Sequence, residues 1–122
     1  MEKMNVKPAT GKLGVLCVGL GAVTSTFMTG VLMARKGLAK PVGSMTQYDK
    51  MRVGRGENKK YLHYGEIVPL ANLNDIVFGA WDVYPANAYE SAVNAEVLKE
   101  KDINPVKDEL EKIVPMKAAF DH

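Results

Sequence analysis

A chain of 122 residues with a single cysteine, Cys17, suits one compact domain, has no internal disulfide and fits a reducing compartment, the cytoplasm. Its 47% apolar and 25% charged residues are the usual balance of a soluble globular protein. The net charge of +2, with acids and bases interspersed, argues against nucleic acid as a partner.

Residues 1–11 are polar and read as a flexible N-terminus; the folded part is expected over 12–122. Leu13 to Val18 is a short continuous apolar run, the pattern of a strand buried on both faces. Gly19-Leu20-Gly21 follows at once. From Ala22 onward Val23, Phe27, Val31 and Leu32 recur at helical spacing, and Gly37 marks the stop after Arg35 and Lys36. The stretch from Leu13 to Ala34 is apolar enough to raise a membrane span, but its glycines, serines and threonines fit strand, turn and helix better.

Ala39 to Gln47 reads as extended or loop, and residues 50–66, with Gly54, Gly56 and Gly65, as a loop or hairpin. Asp75 to Trp81 is a second apolar strand, and Val83 to Asn87 a turn. Ala88 to Lys101 reads as one helix on the spacing of Tyr89, Val93 and Val97. Ile103, Val106, Leu110 and Ile113 mark a shorter helix, capped by Asn104 with Pro105 at its first position. Residues 114–120 begin a further strand. Strands alternating with helices predict an α/β fold, a parallel sheet with flanking helices. Three or four strands make only part of the usual six of a doubly wound dinucleotide fold.

Gly19-x-Gly21 between a strand and a helix has a specific physical meaning. The first glycine permits a tight turn, the second lets a phosphate approach the backbone, and the helix N-terminus favours an anion. Thr24 stands where the third glycine of the dinucleotide fingerprint belongs, at the expected helix–strand contact. The acid expected about 20 residues on, for the ribose, is also missing: residues 38–46 carry no Asp or Glu, and Asp49 comes late. A ligand-free β–α turn therefore stays open on these residues alone. The second constellation is the strand ending in Trp81-Asp82. A carboxylate at a strand's carboxyl end can accept from a ribose diol, or can cap the following turn. The third, Gly43-Ser44-Met45-Thr46-Gln47, could line a polar pocket or be a turn. His63 and His122 stand far apart without a neighbouring cysteine, so no metal site is expected.

The segments GVLCVGLGAVTST, KPVGSMTQ and NDIVFGAWDVYPANAYESAVNAEVLKEKDI, in this order and spacing, resemble the N-terminal part of the myo-inositol-phosphate synthases of the bacterial or archaeal type. GSMTQ and NDIVFGAWD carry this resemblance more than the glycine pair does. It implies a partial Rossmann-like NAD-binding domain, with the catalytic lysines and the sugar-phosphate site beyond the segment seen here. The family's enzymes bind NAD and glucose 6-phosphate. They oxidise the C5 hydroxyl, form an enolate, close the ring by an intramolecular aldol step and reduce the ketone again. By the same resemblance Gly19, Leu20, Gly21, Ala22, Val23 and Thr24 hold the pyrophosphate. Asp82 binds the adenosine ribose from a later strand, and Ser44 supports the cofactor pocket. Ala22, Val23 and Thr24 depart from the family's glycine and asparagines, so only backbone contacts carry over there. A homo-oligomer, the tetramer of the family, is implied. No membrane or nucleic-acid partner is. From the residues alone, a standalone nucleotide-binding module and a piece of another Rossmann oxidoreductase remain open.

Overall fold

The computed structural model describes residues 6–8 and 10–119. The expected flexible N-terminus falls partly, and Phe120 wholly, outside them.

The first strand, β1 (Leu13–Val18), leads through the glycine turn into α1 (Ala22–Arg35). The chain then makes a short helix α2 (Met45–Tyr48), an antiparallel hairpin of β2 (Lys50–Val53) and β3 (Lys60–His63), and a one-turn helix α3 (Tyr64–Ile67). It returns to the main sheet as β4 (Ile76–Asp82), continues through α4 (Ala88–Ala95), α5 (Glu100–Ile103) and α6 (Lys107–Glu111), and adds β5 (Met116–Lys117). The sheet is parallel with order β1-β4-β5, Leu13 lying opposite Ile76 and Val18 opposite Trp81. β4 is thus the strand next to β1 in space, and residues 36–75 are inserted between α1 and that strand.

The core forms where α1, α4 and α6 pack together over the sheet, around Met28, Leu32, Ala80, Ala92, Ile103 and Leu110. α1 does not bury the stripe that its apolar spacing predicts. Val23 is 84% exposed, and the inward positions are Ser25, Met28, Thr29 and Leu32. The two hydroxyls enter the core satisfied: Ser25 Oγ donates to the Ala22 carbonyl at 3.3 Å and Thr29 Oγ1 to the Ser25 carbonyl at 2.7 Å. The expected helix–strand contact at Thr24 falls one residue later, at Ser25, and Thr24 is only partly buried.

Three further expectations are corrected. β1 is covered on one face only. Val15 and Cys17 point to the helices, while Leu16 is 61% and Val18 91% exposed on the other side. The order β1-β4-β5 explains it: both crossovers advance in the same direction, so their helices collect on one face. The predicted helix over 88–101 is split. Glu96, at φ 55°, ends α4, and Leu98 and Ile103 then both reach the core, which one straight helix would not allow. Asn104 does not N-cap the following helix; it is the C-cap of α5 and the first residue of a short turn holding Pro105, and its Oδ1 accepts from the Tyr89 hydroxyl at 3.1 Å. No helix of the described residues is long and apolar enough to cross a membrane.

Candidate functional site

The carboxyl ends of β1 and β4 meet at the glycine turn. Gly19 has φ +98°, a conformation open to glycine and strained for other residues, and the chain uses it to leave the strand sharply. The turn is then fastened to β4 at two points. The Gly19 N–H donates to the Trp81 carbonyl at 2.7 Å, and the Leu20 N–H donates to Asp82 Oδ2 at 2.7 Å. Leu20 itself is buried, an apolar anchor under the turn.

Beyond that anchor the backbone is free. Gly21 is the N-cap of α1, and the first bond of the helix is the Ser25 N–H to the Gly21 carbonyl at 3.0 Å. The N–H groups of Ala22, Val23 and Thr24 therefore have no partner within the helix. No side chain caps them and no acid stands in the helix's own first turn, so these N–H groups keep the helix's positive end open to an anion. Nothing lies within 4 Å of where a Cβ on Gly21 would stand, which leaves the backbone open to a phosphate.

Asp82 caps the turn that follows it, as one reading of its position expected, and also fastens the glycine turn: Oδ1 accepts from the Tyr84 N–H at 3.0 Å and Oδ2 from the Leu20 N–H. These backbone donors, Tyr84 first and then Leu20, hold its carboxyl below the ordinary aspartate value of 3.8, against the opposing effect of partial burial. The carboxylate is ionised at neutral pH. With about four lone-pair sites and two of them occupied, it can still accept from a diol.

These groups line one cleft of about 390 Å³, bounded by Leu20 to Ala22, Asp82, Tyr84 and the α4 residues Ser91 and Asn94. The structure thus brings Gly19, Leu20, Gly21, Ala22 and Asp82 together, with Val23 and Thr24 continuing the same helix turn. Ser44 is elsewhere. With Gln47 it lines a separate cavity of about 670 Å³ beside Leu13, Phe27 and Val31, and its hydroxyl lies 3.4 Å from that of Thr46. Asp49 sits at the end of α2 in the inserted segment. Tyr84, Ser91 and Asn94 carry no motif, and only the folding of α4 onto the α1 N-terminus exposes their place.

Asp82 stands at the carboxyl end of the parallel strand beside β1, the position at which the dinucleotide fold expects its acid, and residues 36–75 separate that strand from α1 in the sequence.

Residues 13–122 match the NAD-binding domain family described as myo-inositol-1-phosphate synthase, and the match implies NAD as cofactor. Inositol-3-phosphate synthase 1 of Bacteroides thetaiotaomicron is 61% identical over 121 residues, 98% of this chain and 28% of the relative. Isozyme 1 of inositol-3-phosphate synthase from Arabidopsis thaliana is 34% identical over 90% of this chain and 24% of its own length. The crystal structure of the Caenorhabditis elegans inositol-3-phosphate synthase superposes with a TM-score of 0.79 at 26% identity, covering 94% of this chain and 25% of that one. The chain spans about a quarter of the length of these relatives. Matched over nearly all of its residues, this chain belongs to the myo-inositol-1-phosphate synthase family.

Proposed function

We propose that this chain forms the part of an inositol-3-phosphate synthase that holds the adenylate end of NAD, in an enzyme that turns glucose 6-phosphate into inositol phosphate. The observation that carries the reading is the uncapped N-terminus of α1, fixed through Leu20 to Asp82 at the end of the adjacent strand. The backbone N–H groups of Gly21 to Thr24 bind and orient the pyrophosphate, and Asp82 accepts from the ribose hydroxyls. Bound NAD supplies the hydride acceptor, and later donor, at C5 of the sugar. The Leu20–Asp82 bond keeps the loop in its binding geometry before any ligand arrives, which lowers the ordering cost of binding. Ser44, in a separate cavity, supports the cofactor pocket on the family resemblance alone. A homo-oligomeric, cytoplasmic enzyme, the tetramer, belongs to the same proposal and rests on the family resemblance.

Isothermal titration with NAD tests it. Asp82→Ala should weaken binding roughly tenfold to a hundredfold, the worth of hydrogen bonds to a charged group, while Asp49→Ala leaves it within about twofold. Equal effects would sink the assignment.

A further inference from the structure

α1 is held to β4 at both of its ends. At the carboxyl end of the strand, the Leu20 N–H donates to Asp82 Oδ2, just ahead of the helix. At the other end Arg35, in the last turn of α1, reaches the residues where β4 begins. Its Nε donates to the Leu73 carbonyl at 2.6 Å, and its Nη2 donates to the Ile76 carbonyl. The guanidinium also lies over the Phe78 ring, 5.7 Å from the centroid. The length of β4, Ile76–Asp82, is thus the ruler against which α1 is set. Lys36, the next residue, points elsewhere. Its Nζ donates to the Pro105 carbonyl and pairs with Glu109 of α6, both at 2.7 Å.

The packing of α1 leaves its axial position to these end bonds. Inward, Ser25 and Thr29 are small and bond back to their own helix, and Met28 is unbranched and adaptable. Outward, Val23 is exposed and Phe27 half-exposed. Such side chains make shallow ridges with little to lock the helix along the strand. We propose that Arg35 is a positioning residue for the cofactor, setting the place of the Ala22 to Thr24 N–H groups from the far end of α1, a role that rests on the NAD reading above. Arg35 lies roughly 17–20 Å along the helix axis from those groups, and it takes no part in lining the cleft. A rigid helix carries a shift at one end to the other, and a binding site keeps its geometry only within about 0.5 Å. Arginine suits the task because its planar fork presents two N–H groups at once to two carbonyls. Lysine offers one compact donor on a flexible stem.

Titration calorimetry of the whole chain with NAD tests this, together with the amide resonances of Ala22, Val23 and Thr24 recorded by NMR before any NAD is added. Arg35→Lys keeps the charge and loses the fork. It should weaken NAD binding about fivefold, the scale on which residues remote from a ligand act, and it should shift the three resonances. Arg35→Ala should do both at least as strongly, and Arg35→Lys decides where Arg35→Ala does not fold. Lys36→Ala removes the neighbouring cation and its link to α6. It should leave the affinity within about twofold and the resonances in place, which separates the bond to β4 from a general loosening of the helix end. Wild-type affinity in Arg35→Lys, a loss with unmoved resonances, or an equal loss in Lys36→Ala overturns the inference and leaves NAD binding in place. A wild type that does not bind NAD overturns the NAD reading itself, and this inference with it.

Discussion

Between Leu13 and Asp82 the chain makes two structures, the β1–α1–β4 unit and the segment 36–75 inserted into it, and they differ in what holds them. The unit is a parallel ladder covered by α1, with Met28 and Ala80 fully buried and with backbone bonds between residues more than 60 apart. In the hairpin every residue from 51 to 60 is exposed. A lone two-stranded hairpin of that kind is marginal in water. The inserted segment is fastened to α1 where it rejoins the sheet. Arg35 donates through Nε to the Leu73 carbonyl at 2.6 Å and through its guanidinium to the Ile76 carbonyl, and it lies 5.7 Å over the Phe78 ring. The contrast teaches where this fold tolerates change. The ligand edge sits on the rigid unit, and forty residues can be threaded in without moving Asp82, because its place is set by pairing with β1 rather than by distance along the sequence.

The largest test of the comparison is in the core. Met28→Ala removes a side chain at 0% exposure and should destabilise by about 2–5 kcal/mol in urea denaturation. Tyr61→Ala, at 62% exposure on the hairpin, should stay within about 0.5 kcal/mol. Similar losses would mean that the insertion is as much a part of the cooperative core as α1 is.

The same contrast decides what could be read from residues alone. Both main strands, the glycine turn, the start of α1 and a hairpin among 50–66 were legible, because each has a local cause: an apolar run, a glycine pair, a cluster of turn residues. The inward face of α1 was not. Ser25 and Thr29 look polar in the sequence and become buriable only when their hydroxyls bond back to the preceding turn. The end of α4 at Glu96 was hidden for a related reason, since Val97 keeps the helical spacing and yet is 58% exposed once Leu98 turns inward. Asp82 was legible at a strand's carboxyl end, but that its strand lies next to β1 was not, because counting residues from the glycine turn assumes no insertion.

A mid-sized effect sharpens the cleft side of the comparison. Asn87 caps α4, its Oδ1 accepting from the Glu90 N–H at 2.9 Å. Asn87→Ala should cost about 1 kcal/mol of stability by denaturation. It should also weaken NAD binding, because α4 carries the far wall. A loss of stability with unchanged affinity would detach α4 from the site.

The smallest expected effect separates the charge of Asp82 from its shape. Its carboxyl titrates below the ordinary value of 3.8 because the Tyr84 and Leu20 N–H groups favour the ionised form. A group lowered in this way stabilises the fold above its unfolded value, about 3.9, and loses that contribution as pH falls through its folded value. Asp82→Asn keeps the shape and one acceptor but has no charge to lose. The gap in melting temperature between wild type and Asp82→Asn should therefore be widest near neutral pH and close as pH drops below about 3.9. Thermal melts across an acid series measure it. A gap of the same size at both ends would mean that the turn depends on the geometry of Asp82 rather than on its charge.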